Sequence, residues 1–210
     1  ISTSLIPVEF DGCKINLLDN PGFFDFAGEV VQSLRVADAG LIVLSAKGGI
    51  AVGTEKAWTA LKKANLPTMF YMSKMDEDNA NYYKVVADLR AQFGNSVVPL
   101  QFPIMKGEKC IGLVDVLSKT ARDTQGNDMA LTAEAEERLE EYLAELSEQV
   151  AETSEEFMDK FFMEEPFTVE ELIQGLKDGL KQRSITPVFA GSAVAGYGSK
   201  RVMEYIVKFC

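Results

Sequence analysis

Three short stretches combine acids, small residues and a lysine in patterns suited to a phosphorylated ligand. The first is Asp19-Asn20-Pro21-Gly22, an acid and a tight turn after the apolar run "INLL". A carboxylate at a strand end can hold a water of a phosphate-bound Mg2+, and a glycine lets its N–H come close to a terminal phosphate. The same four residues also make an ordinary Asx-Pro-Gly turn. The second stretch is Ser73-Lys74-Met75-Asp76, after "TMFYM". A carboxylate there can accept two N–H bonds from a base edge, a pattern offered among the common purines by the ring N–H and exocyclic amine of guanine. The lysine stem can cover the ring while its ammonium stays in water. A solvated turn leading into a helix is the plain alternative. The third is Gly191-Ser192-Ala193, small residues whose backbone N–H groups could meet a carbonyl on the base, or which simply turn the chain.

Order and separation strengthen the set. A phosphate-sensing turn, a base-reading acid and a base-lining loop each follow a strand-like run, and ligands of open α/β sheets gather outside the carboxyl ends of the strands. Other chemistries are excluded by composition. The chain has no histidine, so it holds no histidine base, histidine metal ligand or histidine-containing triad. Cys13, Cys110 and Cys210 are few, odd in number and widely spaced. They suggest neither a disulfide framework nor a zinc site, and a reducing, cytoplasmic setting fits. Cys210 is not in a C-a-a-X setting, so prenylation has no support. No apolar run approaches the roughly 20 residues that span a bilayer, and the start lacks a signal-peptide pattern; no membrane partner is expected.

The net charge of −11 is concentrated in one segment: residues 129–183 hold 16 acidic against 5 basic side chains, which leaves the remainder neutral. Such a segment repels phosphates, so no direct sequence-specific nucleic-acid contact is expected. It is either a set of solvated acidic helices or a docking surface for a basic partner.

The elements that must position these loops can be read from periodicity. "LIPVEF", Asp11-Gly12 and "CKINLLD" form a hairpin pattern. "DFAGEVVQSLRVAD" has Phe26, Val30, Leu34 and Ala37 at helical spacing. "AGLIVLSA" is a short continuous apolar run, as in a strand buried on both faces. "TEKAWTALKKANL" predicts a helix with Thr54 as N-cap, a stripe of Ala57, Leu61 and Ala64, and Trp58 packed near the core. "PTMFYMSKMD" predicts another buried strand, and "ANYYKVVADLRAQFG" a helix closed by Gly94. This alternation argues for an open α/β sheet with right-handed crossovers. "VVPLQFPIMKGEKCIGLVDVLSKTARDTQG" then reads as antiparallel strands about Lys106-Gly107-Glu108, followed by acidic helices over about 132–182. "ITPVFAGSA" and "SKRVMEYIVKF" restore the strand–helix rhythm. The division expected is 1–95 and 184–210 for the α/β domain, with an acidic α+β subdomain inserted at 96–183.

"KINLLDNPGFFDFAGEVVQSLRVADAGLIVLSAKGGI", "SKMD" and "GSA", taken with the insertion, resemble the GTP-binding domain of translational GTPases of the elongation factor G and elongation-factor-G-like group. The three stretches stand where that family has its Asp-x-Pro-Gly switch, its Asn-Lys-x-Asp base reader and its Ser-Ala loop. The resemblance implies a P-loop GTPase-type, mostly parallel sheet and binding of GTP/GDP with Mg2+. Asp19, Pro21, Gly22, Ser73, Lys74, Asp76, Gly191, Ser192 and Ala193 become the expected nucleotide-binding residues, with Asp19 meeting Mg2+ through water. The ribosome is the implied partner, the acidic insertion facing the basic stalk protein.

Departures from the family pattern are equally informative. The phosphate-cradling G-x-x-x-x-G-K-[ST] loop has no counterpart, since the chain contains no Gly-Lys dipeptide. By the resemblance, that loop, its central strand and the first helix precede Ile1. These 210 residues alone are then expected to bind GTP poorly, to have a gap in their sheet and to show no turnover. Phe23 occupies the place of the family's histidine, which orients or activates the attacking water; phenylalanine can do neither. The elongation-factor-G-like group resembles this chain in having an aromatic there. Ser73 replaces an asparagine with a shorter side chain, and Asn20 a threonine. Three functions are compatible with these residues: a ribosome-dependent GTPase switch, a nucleotide-dependent ribosome-binding module with little hydrolysis, or a ribosomal protection protein of the same superfamily.

Overall fold

The computed structural model describes residues 1–209; Cys210 lies outside the described residues. In chain order the elements are β1 (Ser4–Phe10), β2 (Cys13–Asp19), a 3-10 turn (Phe24–Phe26), α1 (Ala27–Ser33), β3 (Gly40–Ser45), α2 (Val52–Ala64), β4 (Thr68–Ser73), α3 (Tyr82–Phe93) and β5 (Val97–Pro99). They continue with β6 (Gln101–Lys106), β7 (Lys109–Asp115), β8 (Thr120–Asp123), β9 (Asp128–Met129), α4 (Ala133–Ala151), α5 (Glu155–Phe162), α6 (Val169–Gln182), β10 (Thr186–Ala190) and α7 (Ser199–Phe209).

Asp11 and Gly12 both have positive φ, 49° and 75°, the geometry of the two-residue turns that follow strand twist. They fold β1 onto β2 in register from Phe10↔Cys13 to Ser4↔Asp19. The central sheet is parallel, in the order β3-β4-β10-β5. Its inner strands read as unbroken apolar runs because both faces are covered: Thr68–Met72 and all of β10 are buried. Trp58 on α2 stacks on Phe70 of β4 at 5.6 Å and lies 4.7 Å from Phe93 of α3, fastening two helices to one strand. Gly40 is where α2 comes closest: a Cβ there would sit 2.2 Å from a Leu61 methyl.

Three local expectations change. Thr54 is not the N-cap of α2. The helix begins at Val52, and the Thr54 hydroxyl in its first turn accepts from the Ala51 N–H at 3.3 Å. α1 ends at Ser33, shorter than its apolar spacing predicts, and Leu34–Val36 continue only as turns. Val97–Pro99 is not antiparallel: it pairs in parallel with Thr186–Val188, so the central sheet takes one strand from the 96–183 segment. Antiparallel pairing starts at Gln101 and builds the β6-β7-β8-β9 sheet.

The acidic helices are capped by hydroxyls. Thr132, Ser154 and Thr168 each accept a backbone N–H at 3.2 Å, from Ala135, Phe157 and Glu171. Glutamates in each first turn suit the positive end of the helix. The buried stripe Ala135, Leu139, Tyr142, Leu146 and Val150 of α4 packs with Leu172, Leu176 and Leu180 of α6. Gly175 permits that approach, because a Cβ there would lie 2.3 Å from Val150.

Polar ties bind this part to the parallel sheet. Arg90 of α3 forks onto the Glu145 carboxylate of α4 and also donates to the Val97 carbonyl. Asp115 at the end of β7 is buried. It accepts from Arg201 at 3.0 Å and Tyr205 at 2.8 Å on α7, and from the Ser118 amide and hydroxyl. Among the described residues, no strand of the β1–β2 hairpin pairs with the parallel sheet. β3 is therefore an edge strand, and its Val43 is 61% exposed. No described helix is long and apolar enough to cross a membrane.

Candidate functional site

The parallel strands β4 and β10 are neighbours, so the loops after them meet. The Gly191 N–H donates to the Met72 carbonyl at 3.0 Å, and the Gly191 carbonyl accepts from the Met75 N–H at 3.2 Å. Met75 is buried and acts as a plug, leaving Lys74 and Asp76 on either side of it exposed. Lys74 adopts φ 64°, an unusual conformation for a residue with a Cβ. It turns the chain away from the sheet, and the Lys74 ammonium rests 3.1 Å from Glu77. Ser73 closes β4 opposite Ser45 of β3, and its carbonyl accepts from the Ala46 N–H at 2.9 Å.

The third loop is a compact knot. Ser192, fully buried, exchanges backbone bonds with Tyr197, and its hydroxyl accepts from the Ala195 N–H at 3.0 Å. Only glycine fits at 191, where a Cβ would lie 2.4 Å from both the Tyr71 hydroxyl and the Tyr197 carbonyl. The expectation of open amides along Gly191-Ser192-Ala193 thus narrows. The Gly191 and Ser192 N–H groups are used inside the fold, whereas Ala193 is exposed and its N–H has no partner among the described residues. Beneath the knot, the Tyr71 and Tyr197 hydroxyls are buried and unpartnered among the described residues. Burial pushes both phenols above their ordinary range. Sequence reading passed over these tyrosines because nothing in their spacing separates them from core residues.

The Asp19 turn stands apart on its own hairpin, and no hydrogen bond joins it to the other two loops among the described residues. Asp19 is exposed, and its carboxylate is in no hydrogen bond or ion pair among the described residues. A free carboxylate at a strand end fits an oxygen donor to a metal-bound water. Gly22 has open space where a Cβ would be, and its N–H donates to nothing among the described residues. Phe23 is 73% exposed. Phe24 lies under the Lys56 ammonium of α2, 3.8 Å from the ring centroid, a contact that pins the turn to the neighbouring helix. No group of three or more cysteine or acidic side chains suited to a metal occurs among the described residues.

Comparison with known proteins shows the family and the fold. A sequence model described as "Elongation factor Tu GTP binding domain" matches residues 1–210. An elongation factor G-like protein of Thermotoga maritima is 32% identical over 205 residues, 98% of this chain and 30% of that protein. A crystal structure of a Thermus thermophilus protein superposes with a TM-score of 0.92 at 32% identity, covering 99% of this chain and 32% of the other. The chain thus spans under a third of the length of these relatives.

Proposed function

The chain belongs to the family of the elongation factor Tu GTP-binding domain, and from that membership we propose that it is the nucleotide-switch portion of an elongation factor G-like protein that acts on the ribosome in the cytoplasm. The observation that carries the nucleotide assignment is the link between two loops. Gly191 bonds through its backbone to both Met72 and Met75, so Asp76 and the free Ala193 amide emerge from adjacent strand ends. Asp76 then reads the guanine edge, Lys74 covers the base, and Ala193 donates to the base carbonyl. Gly191, Ser192 and Ser73 shape the pocket walls.

Asp19, Pro21 and Gly22 form the phosphate-sensing turn, the open Gly22 amide facing the terminal phosphate. Mg2+, when bound, neutralises phosphate charge; Asp19 would hold it through a water. These 210 residues contain no Gly-Lys pair, and no phosphate-cradling loop of that kind is assigned within them. Residues 1–95 and 184–210, with Val97–Pro99 as a further strand of their sheet, act as the GTP-binding unit, and the acidic remainder of the 96–183 segment meets a basic face of the ribosomal stalk protein. Charge complementarity of that kind speeds encounter.

Phe23 favours a second reading. Its exposed ring has no proton donor or acceptor, which suits a nucleotide-dependent ribosome-binding or ribosomal protection module with little hydrolysis. Catalysis of phosphoryl transfer is largely positioning and charge stabilisation, so the ribosome can supply part of what histidine supplies elsewhere. Single-turnover GTP hydrolysis by the full-length protein, with and without ribosomes, separates the two. Stimulation by ribosomes that Asp19→Ala abolishes supports the GTPase. A rate indifferent to ribosomes and equal to that of the variant leaves the binding module.

A further inference from the structure

Asn20 lies between the acid and the glycine of the phosphate-sensing turn, yet its half-buried side chain is engaged in a small polar junction. Its Oδ1 accepts from the Ser33 hydroxyl at 2.6 Å and from the Thr3 hydroxyl at 2.9 Å. Its Nδ2 donates to the Leu18 carbonyl at 3.2 Å. The Thr3 N–H donates to the Glu29 carboxylate at 2.8 Å, closing the junction onto α1 from a second side. Ser33 is buried, so its hydroxyl depends on this partner.

The orientation of the amide is dictated by its surroundings. Turned the other way, its oxygen would face the Leu18 carbonyl, acceptor against acceptor, whereas the two hydroxyls can donate to an oxygen without conflict. Three segments distant in sequence thereby converge on one carboxamide: the residues leading into β1, the turn carrying Asp19 and Gly22, and the last residue of α1. A hydroxyl offers the same count of one donor and two acceptors but puts them on one atom, whereas the carboxamide places its donor and its acceptor on separate atoms that face different partners.

We propose that Asn20 is a positioning residue, which clamps the turn carrying Asp19 and Gly22 to Thr3 and Ser33 so that these segments respond as one unit to the terminal phosphate. It does not touch the nucleotide; it sets the direction of the Gly22 N–H. The proposal rests on the assignment of Asp19–Gly22 as the phosphate sensor. Its signature is therefore a loss of discrimination between GTP and GDP, rather than a loss of nucleotide binding in general.

The test measures affinities of the full-length protein for GDP and for a non-hydrolysable GTP analogue. Asn20→Ala should lower the preference for the analogue roughly tenfold, as expected for losing two hydrogen bonds that order the sensor. Ser33→Ala should lower it less, and the double variant no further than Asn20→Ala, because both substitutions break the same junction. Equal weakening of both nucleotides, or an unchanged preference in folded Asn20→Ala protein, overturns the proposal. If Asn20→Ala fails to fold, Ser33→Ala carries the test alone: an unchanged preference there overturns it too. Asp19→Ala in the same assay keeps the two levels apart. If that variant also retains full discrimination, the phosphate-sensor assignment itself fails; if only the Asn20 and Ser33 variants retain it, the assignment stands and the clamp does not.

Discussion

At the scale of single residues, Asp76 gives the sharpest test of the proposed base reading. Exposed beside the buried Met75, its carboxylate has no partner among the described residues, as the proposed base reading requires. Asp76→Asn exchanges one acceptor oxygen for a donor, which opposes the guanine amine and suits the extra carbonyl of xanthine. In the full-length protein this variant should bind guanine nucleotides roughly 10- to 100-fold more weakly and gain affinity for xanthine nucleotides, as read by competition binding. An unchanged preference would show that Asp76 does not read the base. That Asp76 follows a buried strand was legible in the sequence. That Gly191 and Ser192 spend their amides inside the fold was not, because the partners at Met72 and Tyr197 come from tertiary pairing.

Among the elements, α6 shows how a helix end responds to pH. Glu171 accepts two bonds from the Lys160 ammonium, at 2.7 and 2.8 Å, and one from the Thr168 N–H at 2.7 Å. The Lys160 bonds, then the backbone bond, hold the Glu171 carboxyl below its ordinary value of 4.5. A carboxyl lowered in the folded state adds stability that is complete above its unfolded pKa and is lost as pH falls through the folded value. The wild-type protein should therefore lose thermal stability on acidification below about pH 4.5. Glu171→Gln should lie below wild type at neutral pH and converge with it in acid. Parallel melting curves at the two pH values would remove the capping box from this role. Thr168 and Glu171 are three residues apart and form a capping box at the start of α6, but Lys160 is 11 residues away from Glu171 and only the α5–α6 turn brings it near.

For the whole molecule, the question is what joins the antiparallel sheet and acidic helices to the parallel sheet. Asp115, on the antiparallel sheet, is buried and bonded to Arg201 and Tyr205 of the last described helix. Removing a buried carboxylate strands its partners away from water, so Asp115→Ala should cost about 3 kcal/mol in denaturant unfolding. A cost below about 0.5 kcal/mol would mean that the network contributes nothing net. The outer face of the acidic helices is built differently: Phe162 and Met163 are 75% and 70% exposed, among the glutamates of residues 155–170. If this face meets the basic stalk protein as proposed, binding should weaken several-fold when salt is raised well beyond physiological strength, where exposed charges are screened within a few ångströms. Salt-independent binding would place the contact elsewhere.

Sequence by itself determined the alternating α/β layers, the place of the three loops each after its own strand, and the confinement of negative charge to one segment. These follow from periodicity and residue chemistry, which are local properties of the chain. Tertiary structure alone decided that Val97–Pro99 joins the parallel sheet, that the second and third loops lock through Gly191, and that Asn20 gathers Thr3 and Ser33. Each of these depends on groups brought together from distant parts of the chain. A hydrogen bond is specified by direction and distance in space, and separation along the sequence carries neither.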